Sequence, residues 1–363
     1  MPEFPFLSPA DYRPASPPPE VVGRYGIGIV GCGGIVRHAH LPAYRAFGYR
    51  VVAACDVVEQ HARAAAAEFN IPFVTTDLDA LLAHPGVDVI DLAVHAGQRR
   101  PLLERIARAG KPILSQKPFA MTIGEAQEMV ELCEAAGVPL MINQQARWAP
   151  AHRALKALLE RGVLGHLYSV LHLCRGFQDE PGSWFTQLEN FNIVDHGIHY
   201  IDLTRYFTGR TPLRVRATTT SVPGQVAVSP MIYSILCEYD PAAEVMATLH
   251  FNNIVATPPL HRYEWFLDGA AGSAWASHSE LAVALRERPD DRYVVSLQGR
   301  WFPDAFGGSM GEMLSALAEN RLAQTNGRDN LGSLRIAYAA VESARTGQTV
   351  ELAPAASPCA WGE

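Results

Sequence analysis

The reading of the chain turns on "YGIGIVGCGGIVRHAHLPAY" (Tyr25–Tyr44). An apolar run, Tyr25–Val30, leads directly into Gly31, Gly33 and Gly34, three glycines within four positions. Such a turn brings backbone N–H groups close to a ligand that side chains would hold off. A helix N-terminus placed there favours an anionic group. A dinucleotide pyrophosphate meets both conditions. Gly31 allows the tight turn out of the strand, Gly33 lets the backbone approach the phosphates, and Cys32, Gly34 and Ile35 complete the candidate cofactor loop. The third small position of the usual G-x-G-x-x-G/A pattern falls on Val36, which predicts looser packing of helix on strand. Pro42 predicts that the first helix breaks or restarts.

Working outward, the runs "YGIGIV", "VVAAC", "VDVIDLAV", "PILS" and "VPLMI" alternate with segments of helical composition such as "EQHARAAAAEF" and "RPLLERIARAG". Gly110 and Gly137 suit helix C-caps. Strands that are apolar on both faces and separated by helices indicate a parallel sheet covered on both sides. The expectation is an N-terminal doubly wound domain over residues 24–144. Its second strand ends at Asp56, placed to accept hydrogen bonds from the adenosine ribose and to repel a 2′-phosphate. No arginine follows it in "DVVEQ". NAD is therefore the expected cofactor, with NADP as the alternative.

Residues 1–23 hold seven prolines. They predict an extended arm, either solvated or packed on a neighbouring subunit. From 145 to 363 the texture is different. Helices are expected at 150–161 and at 193–207, the latter ended by Gly209. The runs "LRVRATTTSV", "MIYSILCEY", "EVMATLHFNN" and "RYEWFLDG" follow, and further helices at 310–322 and 329–346. Consecutive strands of this kind indicate an α+β domain with a largely antiparallel sheet.

Composition narrows the function classes. A chain of 363 residues exceeds one ordinary core and suggests two domains. The net charge of −7, without a Lys/Arg cluster, argues against a nucleic-acid partner. No apolar run approaches the roughly 18 residues of a membrane span, and no secretory signal is evident. Six scattered cysteines without a C-x-x-C pair suit a reduced, cytoplasmic compartment.

Two further motifs suggest chemistry. "ILSQKPFA" sets Lys117 at the C-terminal end of an expected parallel strand, where ligands bind in open α/β sheets. There a lysine can hold a hydroxyl and stabilise oxyanion charge; a surface lysine before a turn proline is the plainer alternative. In "NIVDHGIHYIDLTRYFTG", Asp195 and His199 are spaced i, i+4 on an expected helix, with Asp202 near the same face. A histidine beside a carboxylate can act as general base. A satisfied core histidine, or a metal set with His172, are the alternatives; no metal is expected, because the spacing lacks metal-site regularity.

Taken together, "GCGGIVRHAHLPAY", "SQKPFAMTIGEAQEMVELCEAAGVPLMINQQARWAP", "DHGIHYID" and "LRIAYAAVESARTGQTVEL" resemble the Gfo/Idh/MocA family of nicotinamide-dependent oxidoreductases. The resemblance runs from about Tyr25 to Pro354. It implies a Rossmann domain followed by a domain with a large open sheet that mediates a homodimer or homotetramer. It implies a catalytic set on Lys117, Asp195 and His199, and sugars, polyols or their derivatives as substrates. The family's Glu-Lys-Pro is Gln116-Lys117-Pro118 here, its Thr-Pro after the third strand is Val94-His95, and a nearby histidine is matched by Arg99. Val94, His95 and Gln116 join the expected cofactor contacts, and Trp148 and His172 are candidates for the substrate wall. The expected reaction is hydride transfer between a secondary alcohol and nicotinamide C4, with His199 as base, Lys117 on the reacting oxygen and Asp195 orienting. A retained-NAD glycosidase- or epimerase-like enzyme, or a non-catalytic nucleotide sensor, are the alternatives.

Overall fold

The computed structural model describes residues 4–352, which divide into two units. One comprises residues 14–148 and 301–331, the other residues 4–13, 149–300 and 332–352.

The first unit is built on β1 (Gly26–Val30), β2 (Arg50–Cys55), β3 (Phe73–Thr75), β4 (Val89–Leu92), β5 (Ile113–Ser115) and β6 (Leu140–Ile142). Every pairing is parallel, in the order β3-β2-β1-β4-β5-β6. The order reverses direction between β1 and β4, the switch point at which such sheets bind ligands. All four residues of β4 are 0% exposed, as a strand covered on both faces requires, and one of them, Asp91, is acidic. The expected doubly wound domain is thus present. Gly110 and Gly137 take φ of 68° and 64°, the left-handed turn of a helix end.

The helix after the glycine turn does not stop at Pro42. It passes through a π-helical turn, Val36–His40, into the α-helix Leu41–Phe47. A proline ring crowds the carbonyl four residues back, and a widened turn before it relieves that clash. Val36, at the third small position of the glycine pattern, is 0% exposed inside this turn.

The second unit carries β7 (Leu167–Arg175), β8 (Arg214–Thr220), β9 (Ile232–Glu238), β10 (Met246–Asn252), β11 (Arg262–Gly269), β12 (Gly272–Ala276), β13 (Glu280–Leu285), β14 (Arg288–Ser296) and β15 (Val350–Glu351). Their order is β14-β13-β12-β11-β7-β10-β9-β8-β15, antiparallel except for the β7–β10 pair. This is the expected mostly antiparallel sheet. Ala247, Leu249 and Phe251 of β10 are fully buried on one face, against the helix Ile198–Thr208. On the opposite face, cross-strand partners Trp275, Phe266 and Leu171 form a partly exposed apolar row.

The proline-rich N-terminus is described from residue 4. Ser8 and Asp11 close a capping box on a one-turn helix, Pro9–Tyr12, with proline at its first position. Tyr12 is 2% exposed, and its carbonyl accepts a hydrogen bond from Arg153 at 3.1 Å. Farther along, Ser16 donates to the Phe47 carbonyl at 2.9 Å. The segment packs on its own chain, because a buried tyrosine and a capped helical turn stand where proline content alone suggests an extended arm.

Candidate active site

The expected cofactor residues follow the C-terminal ends of parallel strands, and therefore one edge of the sheet: Gly31–Ile35 after β1, Asp56 after β2, Val94 and His95 after β4, Gln116 and Lys117 after β5. Gly31 has φ +92°, and a Cβ there would lie 2.9 Å from the Ala93 carbonyl oxygen. Its N–H donates to the Cys55 carbonyl at 2.8 Å. The Cys32 N–H donates to the Asp56 carboxylate at 2.7 Å, and Val58 N–H donates to the same carboxylate at 2.9 Å. Asp56 thus pins the glycine turn to the second strand. Burial, then the neighbouring Asp56 charge, pushes the Cys32 thiol up to about 12, so this cysteine is a packing residue and not a nucleophile. Gly33, Gly34 and Ile35 are exposed. A Cβ at Gly33 would meet nothing within 4 Å, which leaves an open cradle over N–H groups that a helix start does not satisfy internally. A diphosphate fits that space and that polarity.

The lysine loop is held from below. Arg99 is 1% exposed; it donates to the carbonyls of Phe119 at 2.8 Å and Val94 at 2.6 Å, and to that of Pro118. It ties the end of β4 to the loop after β5. The Lys117–Pro118 peptide is cis, and Lys117 is partly exposed. His95 stands exposed at the N-cap of the helix Ala96–Arg108. Gln116, 6% exposed, bonds His40, a residue for which the sequence carries no distinct signal. Asp91 is missed by the motif reading too, although it carries a visible signal: an acid inside an apolar strand.

The expected regular helix over 193–207 is corrected. Residues Phe191–His196 form a π-helical turn, and the α-helix runs Ile198–Thr208 after Gly197. The Gly197 N–H donates to the Asn192 backbone carbonyl, five residues back, at 2.9 Å. The uniform i, i+4 face expected for Asp195 and His199 is interrupted between them. Asp195 is partly exposed and His199 is 7% exposed. The turn is fastened by amides: Asn253 donates to the Asn192 side-chain oxygen at 2.5 Å and lies 3.2 Å from His196 Nδ1, while Asn192 donates to the Pro230 carbonyl at 2.8 Å. Asp202 is fully buried and accepts from the Ser333 hydroxyl at 2.7 Å, an anchoring role for this helix.

Trp148 and His172 lie in packed interiors. Trp148 is 4% exposed, close enough to Gly308 that a Cβ there would come within 2.8 Å of the tryptophan. His172 is 1% exposed, stacked on Tyr200 at 4.3 Å between ring centroids and bonded through Nδ1 to the Glu264 carbonyl at 2.9 Å. Its burial, and then nearby His152, hold its pKa well below the ordinary histidine value. Among the described residues no cluster of three or more His, Cys, Asp or Glu could hold a metal.

Residues 25–144 match the model of an oxidoreductase family with an NAD-binding Rossmann fold, and residues 152–278 match the GFO/IDH/MocA C-terminal domain. The chain belongs to the GFO/IDH/MocA family. The sequence is 30% identical over 357 residues to D-apiose dehydrogenase of Paraburkholderia graminis, covering 91% of this chain and 90% of that protein. It is 27% identical over 330 residues to D-apiose dehydrogenase of Rhizobium rhizogenes, covering 84% and 91%. An oxidoreductase from Agrobacterium radiobacter, solved with NAD+, L-tartaric acid and magnesium, superposes with a TM-score of 0.80 at 25% identity, over 90% of this chain and 98% of that one. As a member of this family the protein is a nicotinamide-dependent oxidoreductase. The retained-NAD and sensor alternatives find no support among these relatives. Among the described residues no helix is long and apolar enough to cross a membrane.

Proposed function

We propose that the protein reversibly oxidises a hydroxyl-bearing carbon of an aldose, polyol or related sugar, with NAD preferred over NADP. The observation that carries this reading is one edge of the parallel sheet, where an acidic residue follows β2, an open glycine turn follows β1 and the lysine loop follows β5. Asp56 offers its carboxylate where an adenosine ribose would sit, which favours NAD. Val94, His95 and Gln116 belong to the same cofactor edge. A nicotinamide cofactor held at this edge would supply hydride exchange with the substrate carbon. Lys117 hydrogen-bonds the reacting oxygen and stabilises alkoxide-like charge. His199 takes and returns the hydroxyl proton, and Asp195 orients the imidazole or the substrate. The substrate class follows the D-apiose dehydrogenases, which are sugar enzymes similar over most of both chains. Trp148 and His172, both buried, are not assigned to it.

In this reading residues 24–144 are the nucleotide-binding domain and 145–363 the substrate and oligomerisation domain. The apolar row Leu171, Phe266 and Trp275 supports a homodimer or homotetramer built on the open sheet. The five described cysteines are unpaired and buried, in keeping with a reducing, cytoplasmic compartment. Cys359 lies outside the described residues.

The test is nicotinamide absorbance with purified protein, NAD and NADP in parallel, across D-apiose and a panel of aldoses and polyols. Lys117→Ala and His199→Ala are each expected to lower kcat by about 10²–10³-fold without unfolding the protein. Full turnover in both variants would sink the assigned roles.

A further inference from the structure

Below the lysine loop runs a buried polar chain. Asp91 and His40 are both 0% exposed. One Asp91 oxygen accepts from the Tyr44 hydroxyl at 2.8 Å and lies 2.7 Å from His40 Nδ1. His40 Nε2 lies 2.6 Å from the Gln116 side-chain nitrogen. The Gln116 side-chain oxygen accepts the backbone N–H of Lys117 at 3.1 Å. That last bond fixes the amide's orientation, because the reversed amide would set two N–H donors against each other at Lys117. The Gln116 NH2 therefore donates to His40 Nε2. This nitrogen must then carry the lone pair, so the ring proton sits on Nδ1 and is donated to Asp91.

We propose that Asp91, His40 and Gln116 are positioning residues for the lysine loop, and that glutamine at 116 is matched to a neutral His40. The proposal rests on Lys117 acting at the reacting oxygen. The chain has one direction, from the Lys117 N–H through Gln116 and His40 to a single buried carboxylate. A glutamate at 116 would put carboxylates on both sides of the imidazole, and the chain would close only when the ring bound a second proton. The groups that face His40 are Asp91 from β4, Tyr44 from the helix Leu41–Phe47, Gln116, and the uncharged ring of Phe306 at 4.7 Å between centroids. Cys32 is the further titratable group coupled to Asp91. Reversing the chain's direction requires two changes, Asp91→Asn together with Gln116→Glu. The new amide at 91 would donate to Nδ1 and the new carboxylate at 116 would accept from Nε2–H, again with a neutral ring. The second Asp91 oxygen has no hydrogen-bond partner among the described residues, so the one other bond that Asp91→Asn touches is that of Tyr44, whose hydroxyl would turn from donating to accepting from the new amide.

The experiment compares full-length wild type, Gln116→Glu, Asp91→Asn and the double variant. The readouts are the pH profile of kcat/KM, NADH binding and thermal unfolding. Gln116→Glu is expected to add a fall in kcat/KM with rising pH that wild type lacks, reaching about tenfold or more. Asp91→Asn is expected to lose activity at every pH. The double variant is expected to recover most of the wild-type rate with the added pH dependence gone. A double variant no better than the worse single one would overturn the proposal, as would Gln116→Glu tracking wild type at all pH. If a single variant fails to fold, recovery of folded protein in the double variant is the same rescue, and its absence counts against the chain. Lys117→Ala separates the two readings. Unchanged turnover in Lys117→Ala overturns the lysine assignment, whereas an inactive Lys117→Ala with no rescue in the double variant overturns the chain alone.

Discussion

The two π-helical turns, Val36–His40 in the first unit and Phe191–His196 in the second, do similar work with different materials. Each widens a helix by one residue beside groups proposed to bind or react, as such turns often do. The first ends on His40, which is held by a buried carboxylate and a directional chain. The second is held by neutral amides, Asn192 and Asn253, and by rings; Phe191 stacks on Phe185 at 4.3 Å and His196 lies 5.9 Å from Phe251. A carboxylate-based chain has one protonation pattern that satisfies it. An amide-and-ring arrangement depends on shape. The first turn should therefore respond to charge substitutions and the second to added volume.

The largest expected effect is a volume change at Gly197. A Cβ there would lie 2.5 Å from the Tyr233 hydroxyl and 2.7 Å from the Ile193 carbonyl. Tyr233 is stacked on Phe251 at 4.5 Å and is 1% exposed, so neither neighbour moves cheaply. Gly197→Ala is expected to cost about 1–3 kcal/mol in denaturant unfolding and to lower kcat/KM strongly. Native stability and activity in this variant would show that the second turn does not depend on shape.

Next is Asn253→Ala. It removes a donor to Asn192 and a neighbour of His196 while leaving the Asn192 side-chain oxygen buried. An orphaned buried acceptor costs about 1–3 kcal/mol. The orphaned Asn192 oxygen does not titrate, so this part of the loss is expected to be the same at pH 6 and pH 8, unlike that of Gln116→Glu. A pH-dependent loss would erase the distinction between the turns.

The parallel sheet was legible because buried strands read as unbroken apolar runs and their helices end in glycines that take positive φ. The glycine turn, Asp56 and Lys117 were legible because a motif and its strand lie together in sequence. The π turns were not, since apolar spacing reports a 3.6-residue period and says nothing of one widened turn. His40 and Asp91 stand 51 residues apart and meet only through the β1–β4 pairing, so neither announces the other. Trp148 and His172 show the opposite failure. An aromatic side chain near a motif suits a sugar wall and a core equally well, and only burial separates the two.

The smallest expected effect concerns His172, which lies under the second turn's helix. Its Nδ1 meets a carbonyl and its Nε2 has no partner among the described residues; no carboxylate serves it, in contrast to His40. Burial lowers its pKa in the folded state. The unfolded chain therefore binds a proton that the folded chain does not, starting below the unfolded histidine value of about 6.5. Stability is fully present above that pH and falls as pH drops through it, by up to about 1.4 kcal/mol per unit for one proton. His278 and His250, also lowered by burial, add to the same slope. His172→Phe keeps a ring for the Tyr200 stack and removes the proton site, so its unfolding midpoint should fall less than wild type's between pH 7 and pH 5. Equal slopes in the two proteins would mean that His172 is reached by solvent or by a counter-charge when protonated. The second turn's surroundings would then respond to charge as the first turn does.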